Sequence, residues 1–514
     1  MSKPSVFRRV LLHPFFFAAY GVLALLAANI EQLEAQDGLR ALLLALLAAG
    51  LVYFVLALTL RHSERAAVLT SALLVLFFSY GHLYLFLEQA GIGVGRHRYL
   101  APFFLLLFGL ISWWALRART GLPALTRGLN WLGALLLIYP LLHIGLYQIR
   151  LAKAGLLFTP HDQGAPAASP GQDLPDIYYI IPDEYPRADT LASQYDYDNS
   201  AFLQSLREMG FYVADGSRSN YAQTELSLSS SLNMDYLDRL VQDFDPGSKD
   251  MTALPALIRE SEVRRRLESL GYRVVAFETG FAWTQWKNAD VYITRNQALD
   301  RVAAFGEMNA FEEMLLETSG ILALNDAASV VPRWLRRQAS DSHNRNHYDL
   351  VMFVLDQLRR TPEIDGPKFV FVHLIIPHPP FVVRTDGSFV GDSGGFGLSR
   401  TPDAGAKGRF LDQVVFLNTW LEEFLPILLE DPAGPPIILL QSDTGPGLSP
   451  SLRMNNLSAY YFPGGDYTAL YPSITPVNSF RVVFDQFFGE NLPLLDDNTY
   501  FSTYKEPFEF KQNP

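Results

Sequence analysis

The chain has 514 residues, 49% of them hydrophobic, and a formal net charge of −12. That length suggests two to four domains, and the acidic balance argues against a nucleic-acid partner because no basic footprint is present. Cysteine is absent, which excludes disulfides, thiolate metal sites and cysteine nucleophiles.

The apolar residues crowd into the first 150 positions, and the acidic excess lies beyond them. Five apolar runs stand out: Val10 to Ile30, Ala41 to Leu60, Ala66 to Leu87, Leu100 to Leu116 and Leu129 to Gln148. Each approaches the ~20 residues that cross a bilayer. The first is too long for a signal peptide, and four similar runs come after it. Short-loop charge sets the orientation. Lys3, Arg8 and Arg9 precede the first run, Arg61 and Arg65 follow the second, and Arg117, Arg119 and Arg127 follow the fourth. The alternate loops carry Arg40, offset by Glu31, Glu34 and Asp37, and Arg96 with Arg98. This bias predicts a cytoplasmic N-terminus, with everything after Arg150 outside. His82, Glu88 and His143 lie in or near the runs without the regular series a proton relay needs. They read as interfacial or tucked between helices.

Residues 151–173 are rich in Ala, Gly and Pro and read as a linker. From Leu174 onward, short β-rich runs alternate with amphipathic ones. The strands expected are Ile177–Ile181, Arg273–Phe277, Val291–Ile293, Phe369–Leu374, Ile437–Gln441 and Ser458–Phe462. The helices expected are Asn199–Glu208, Ala253–Leu270, Asp349–Arg359, Phe410–Leu429 and Ser479–Phe488. Continuous apolar strands between helices imply a mostly parallel central sheet covered on both faces. The fold expected is therefore a five-helix transmembrane domain over residues 1–150 and an extracytoplasmic α/β domain over 174–514.

Ligands bind beyond the carboxyl ends of parallel strands. Ile177–Ile181 runs into Pro182-Asp183-Glu184, and Ile437–Leu440 into Gln441-Ser442-Asp443. Two such carboxylates can converge on one hard cation; each Asp is equally at home as a turn or cap residue. Thr224 opens an expected helix, Thr224 to Leu232, either as a plain N-cap or as a nucleophile at a site favouring anions.

Four stretches carry a family likeness: Tyr178-Tyr179-Ile180-Ile181-Pro182-Asp183-Glu184-Tyr185, Ser219-Asn220-Tyr221-Ala222-Gln223-Thr224, Phe371-Val372-His373-Leu374-Ile375-Ile376-Pro377-His378-Pro379-Pro380 and Tyr471-Pro472-Ser473-Ile474-Thr475-Pro476-Val477-Asn478. Together with the five apolar runs they resemble sulfatase-like membrane proteins of the alkaline-phosphatase superfamily, similar to lipoteichoic acid synthases and phosphoethanolamine transferases. The resemblance implies metal ligation by Asp183, with Glu184 as a further candidate, and by Asp443. It implies Thr224 as a metal-bound nucleophile that forms a covalent intermediate, and His378 against the transferred group. Arg453 and Arg481 are candidates for binding the anion, or for structural ion pairs. His373, inside a strand, reads as a buried core histidine. The substrate implied is a lipid-linked or glycan ester at the membrane, with envelope proteins as further partners.

One position departs from the family. Its late motif is Asp-His-Gly, whereas this chain reads Ser442-Asp443-Thr444-Gly445-Pro446-Gly447. A Thr hydroxyl is a poor substitute for imidazole on Zn or Mn. The remaining oxygen ligands suit Mg or Ca. No other histidine obviously fills the gap, and His343 and His347 read as exposed or as local caps. Two readings stay open: a phosphoryl- or sulfuryl-group hydrolase or transferase, and a degenerate relative that binds or scaffolds.

Overall fold

A computed structural model describes residues 11–512 apart from 32, 91, 93–95, 119, 158–173, 242–243, 296–308, 324–332, 391–404 and 448. Lys3, Arg8 and Arg9, and most of the expected linker, lie outside the described residues. The chain divides into two compact units, residues 1–150 with 307–343, and residues 151–306 with 344–514.

The first unit holds helices α1 (His13–Ala28), α2 (Asp37–Leu60), α3 (Ser63–Gln89), α4 (His97–Arg117) and α5 (Leu122–Leu157). Helices α2 to α5 are long and apolar enough to cross a membrane; α1, with 16 residues, is shorter. The helix α5 runs on past residue 151, so the expected linker begins as helix. Buried polar groups tie the helices together. The two amides at the start of α1, Leu12 N–H and His13 N–H, donate to Asn130 Oδ1 of α5, while His13 Nδ1 meets Ser71 Oγ of α3 at 2.6 Å. These bonds occupy donors that the first turn of any helix leaves free.

A segment from beyond residue 306 also packs in this unit. Its short helix, Ala310–Glu317, starts on a capping box in which the Asn309 and Glu312 side chains bond each other's backbone amides. Glu312 also pairs with Arg40, and Asn309 Nδ2 donates to Asp37 O at 3.0 Å. Gly320 N–H bonds Phe77 O at 2.7 Å, and a Cβ on Gly81 would lie 2.3 Å from the Thr318 backbone, so only glycine admits this approach.

The second unit is built on a seven-stranded sheet of order β2-β7-β6-β1-β5-β3-β4. Its strands are β1 (Ile177–Pro182), β2 (Tyr212–Val213), β3 (Arg273–Phe277), β4 (Val291–Ile293), β5 (Lys368–Leu374), β6 (Ile437–Gln441) and β7 (Ser458–Tyr461). Five of these, β6 through β4 in sheet order, are parallel; β7 and β2 are antiparallel additions at one edge. The six expected strands all form. The central β1 is buried along its whole length, as a strand covered on both faces must be.

Alternation separates two cores. Tyr179, Phe369, Phe371 and Leu439 face one layer of helices, including Thr224–Asn233 and Pro476–Phe488. Tyr178, Ile180, Val370 and Leu440 face the other, including Ser200–Glu208 and Ala406–Leu429. Three helices differ from expectation. The run Ala253–Leu270 is two helices, Leu254–Arg259 and Glu262–Ser269, because Ser261 turns extended and caps the second. The helix expected from Asp349 begins at Arg333. In the helix at Thr224, Gln223 holds the N-cap position without a side-chain cap bond, which leaves Thr224 in the first turn rather than at the cap. A C-terminal hairpin, Tyr500–Thr503 with Glu506–Gln512, was not foreseen.

Candidate active site and cation centre

The parallel register assembles the site. β1 pairs with β6 from Ile177–Ile437 to Ile180–Leu440, and continued past the last pair this sets Asp183 beside Asp443. β1 pairs with β5 so that Ile181 lies opposite His373. Asp183, His373 and Asp443 thus share the carboxyl edge of three adjacent strands, on the face that carries Thr224.

All three are buried, and one ligand atom from each lies within 4.8 Å of the others. Asp183 Oδ2 is 3.6 Å from His373 Nε2. Thr224 Oγ1 donates to Asp443 Oδ2 at 2.6 Å, and Ser227 Oγ, one turn later, donates to Asp443 O at 2.7 Å. The helix N-terminus therefore aims its hydroxyl and the positive end of its dipole at the strand edge. Glu184, in a left-handed conformation with φ of 62°, turns its N–H toward Asp443 Oδ1 at 3.3 Å. Gly445 is required nearby: a Cβ there would stand 2.6 Å from Asn455 O.

Burial and the adjoining Asp443 carboxylate push the Asp183 pKa well up. Burial also drives the His373 imidazole down to about 4, so it is neutral near pH 7. Three buried polar atoms at this edge have no hydrogen-bond partner among the described residues: Asp183 Oδ1, His373 Nε2 and Thr444 Oγ1. Unsatisfied buried groups are costly and uncommon. Two carboxylates and an imidazole around one point, with free lone pairs, fit a divalent cation.

The other sequence candidates fall in different places. Glu184 lines the same cleft, and its Oε1 pairs with Arg453 Nη1. Arg453 also donates from Nε to Ala222 O at 2.9 Å, bracing the segment that leads into Thr224. His378 stands at the rim, with Nδ1 2.6 Å from Pro379 O and its ring edge-on to Phe281. Gln413 holds that loop through the carbonyl of Pro377 and the amide of Val382. Arg481 is not at the site: its guanidinium is used on Met234 O and Pro493 O. His347 is half-buried rather than exposed, with Nε2 3.2 Å from Ile375 O; the His343 side chain lies outside the described residues. His373 is buried and bonded to Thr284, as expected of a core histidine, and its Nε2 also faces Asp183 Oδ2. The spacing of His373 held that signal, because it continues Phe369 and Phe371 at period two to the strand's carboxyl end.

The cleft over these groups measures about 780 Å³ and is lined by Asp183, Thr224, His373, His378 and Arg453, with Phe281, Trp283, Phe501 and Tyr504 on its walls. Its centre is acidic and its walls are aromatic.

No family model matches the chain, and no curated protein matches it. Solved structures do. It is similar to the integral membrane lipooligosaccharide phosphoethanolamine transferase A (EptA) of Neisseria meningitidis, at 11% identity and TM-score 0.41, over 94% of this chain and 95% of that one. It is also similar to the C-terminal periplasmic domain of EptC from Escherichia coli in complex with Zn, at 11% identity and TM-score 0.37, over 62% and 85% of the two chains. A protein in the alkaline phosphatase superfamily from Vibrio parahaemolyticus matches at 11% identity and TM-score 0.36, over 70% and 82%.

Proposed function

We propose that this protein is a membrane-anchored transferase or hydrolase of phosphoryl or sulfuryl groups, with Thr224 as its nucleophile and a divalent cation at Asp183 and Asp443. The observation that carries this reading is the 2.6 Å bond from Thr224 Oγ1 to Asp443 Oδ2 at a strand edge whose buried polar atoms lack partners. A cation bound there would lower the hydroxyl pKa and neutralise charge on the transferred group.

The chain's own residues supply the rest. The Thr224 proton leaves along the bond to Asp443 as Oγ1 attacks the phosphorus, and the bond to the departing alcohol breaks. His378 protonates the departing oxygen at the rim. A second hydroxyl, from lipid, glycan or water, then gives its proton back to His378 and attacks the phosphothreonine. Thr224 recovers its proton from Asp443. The N-terminus of Thr224–Asn233 turns the positive end of its dipole to the equatorial oxygens, and Arg453 holds the Ala222 carbonyl that fixes its approach.

α1 to α5 all cross the membrane in this reading, with the N-terminus inside and the α/β unit outside, where an envelope lipid or glycan ester is the substrate. The segment at 309–320 supports that orientation. It comes after α5 in the chain and packs on Asp37 and Arg40, at the start of a helix that loop charge assigns to the outside, and on Phe77 midway along α3.

Metal analysis of the purified chain, with turnover of a generic phosphodiester and a generic sulfate ester, tests this reading. The expected result is bound cation and turnover of one ester, lost in Thr224→Ala. A chain without cation or turnover, unchanged by Thr224→Ala, would instead be the degenerate binding protein that Thr444 favours.

A further inference from the structure

The family's late Asp-His pair is Asp443-Thr444 here, and His373 lies across the edge from it. Thr444 Oγ1 and His373 Nε2 are both buried without a partner among the described residues. Only one of them is a good ligand for a transition metal.

The tautomer of His373 is set by its neighbours. His373 Nδ1 is 3.2 Å from Thr284 Oγ1, and Thr284 Oγ1 is 3.0 Å from Thr279 Oγ1. Thr279 Oγ1 in turn reaches Phe281 O at 3.2 Å. A carbonyl only accepts, so Thr279 spends its proton on Phe281. Thr284 must then donate to Thr279, and its oxygen is left to accept from His373 Nδ1–H. The chain of hydroxyls ends in one direction only. The proton sits on Nδ1, and the Nε2 lone pair faces Asp183 and Asp443.

A lone pair 3.6 Å from a carboxylate oxygen is repelled by it. His373 Nε2 and Asp183 Oδ1 have no other partner among the described residues, and both side chains are held in place by strands. A cation between them relieves that repulsion and also satisfies Asp183 Oδ1, which a proton shared by Oδ2 and Nε2 would leave without a partner. The hydroxyl relay is the kind of outer partner that orients a ligating imidazole and raises its basicity.

We infer that His373, oriented by Thr284 and Thr279, is the imidazole ligand of the cation, so that the nitrogen donor comes from β5 instead of the position after Asp443. This inference rests on the cation proposed at Asp183 and Asp443. It assigns that cation a nitrogen donor, which shifts preference from Mg and Ca toward Mn and Zn. His373 touches the cation; Thr284 is a positioning residue.

The test uses the full chain in detergent, titrated with Mn(II) by calorimetry and loaded with Zn(II) for X-ray absorption. Wild-type protein is expected to bind one cation and to show imidazole scattering from Zn(II). His373→Gln is expected to lose that scattering and at least about 100-fold in affinity. Thr284→Val, which keeps the shape and removes the acceptor, should lose about 10- to 100-fold. Thr284→Ser should restore wild-type affinity, which a merely structural role would not require. A His373→Gln protein that keeps its affinity within twofold and its imidazole signal overturns the inference and leaves the Thr224 reading standing. Wild-type protein that binds no cation overturns both.

Discussion

Two buried polar clusters sit one above the other on the same face of β6, and they are built on opposite plans. In the lower one, Gln441 Nε2 lies 2.8, 3.0 and 2.9 Å from the hydroxyls of Ser458, Tyr460 and Ser479, among which its two N–H groups are shared. Its members also bond one another, with Ser458 to Tyr460 at 3.0 Å and Tyr460 to Ser479 at 2.9 Å. Two residues later along the chain, the cluster of Asp183, His373 and Asp443 leaves atoms unmatched and brings two carboxylates together. Burial is the same in both; completeness is not. A network that closes on itself fixes a fold, and one that stays open at a strand edge is shaped for something it must bind.

The contrast breaks most sharply at Thr224. If the open cluster is a reaction centre, Thr224→Ala should cut ester turnover by on the order of a thousandfold or more, with the melting temperature nearly unchanged. Steady-state assays beside thermal melts would check both halves. Loss of stability with retained turnover would make Thr224 a helix residue and nothing more.

Gln441→Leu should do the reverse. It removes the amide that joins Ser458, Tyr460 and Ser479 and leaves them only their bonds to one another, at a cost of about 2–4 kcal/mol of stability. Cation stoichiometry should stay at the wild-type value. Denaturant unfolding with and without Mn(II) separates these effects, and a large loss of cation binding would show that the two clusters are one.

The pH response sharpens the comparison further. In the cation-free protein the two shifts oppose each other. Asp183, raised from 3.8, favours the folded state below that value and withdraws support as pH climbs toward its folded pKa. His373, lowered from 6.5 to about 4, withdraws support as pH falls through that interval. Cation affinity behaves more simply, because a proton on either group excludes the cation. Affinity should fall as pH drops, by about tenfold per unit while one ligand titrates. The rise in melting temperature on adding Mn(II) should therefore grow from pH 5 to pH 8, and Asp183→Asn should flatten that slope.

Much of this site was legible in the sequence. The strand-end carboxylates and Thr224 could be placed from period, punctuation and motif, because a parallel sheet gathers the residues just beyond its carboxyl ends along one edge. Register could not be read in the same way. The β1–β5 pairing brings His373 level with Ile181, and no local pattern encodes that offset. Nor did the sequence reveal that Arg453 takes up Glu184, or that Arg481 turns to Met234 and Pro493, since these partners come from distant segments. The segment at 309–320 shows the same limit: its capping box is local, but its place against Arg40 and Phe77 is tertiary.

The smallest expected effect is at Thr444, and it bears directly on which atom completes the open cluster. Its hydroxyl is buried and has no partner among the described residues, so it has already lost its water without compensation. Thr444→Val preserves the shape and removes that group. If His373 is the ligand, stability should be unchanged or rise by up to about 1 kcal/mol, and Mn(II) affinity should stay within twofold. If the Thr444 oxygen reaches the cation, directly or through a bound water, affinity should fall clearly in the same variant. Calorimetry on one substitution thus decides whether the position that broke the family pattern is a weakened ligand or simply a residue whose task moved to another strand.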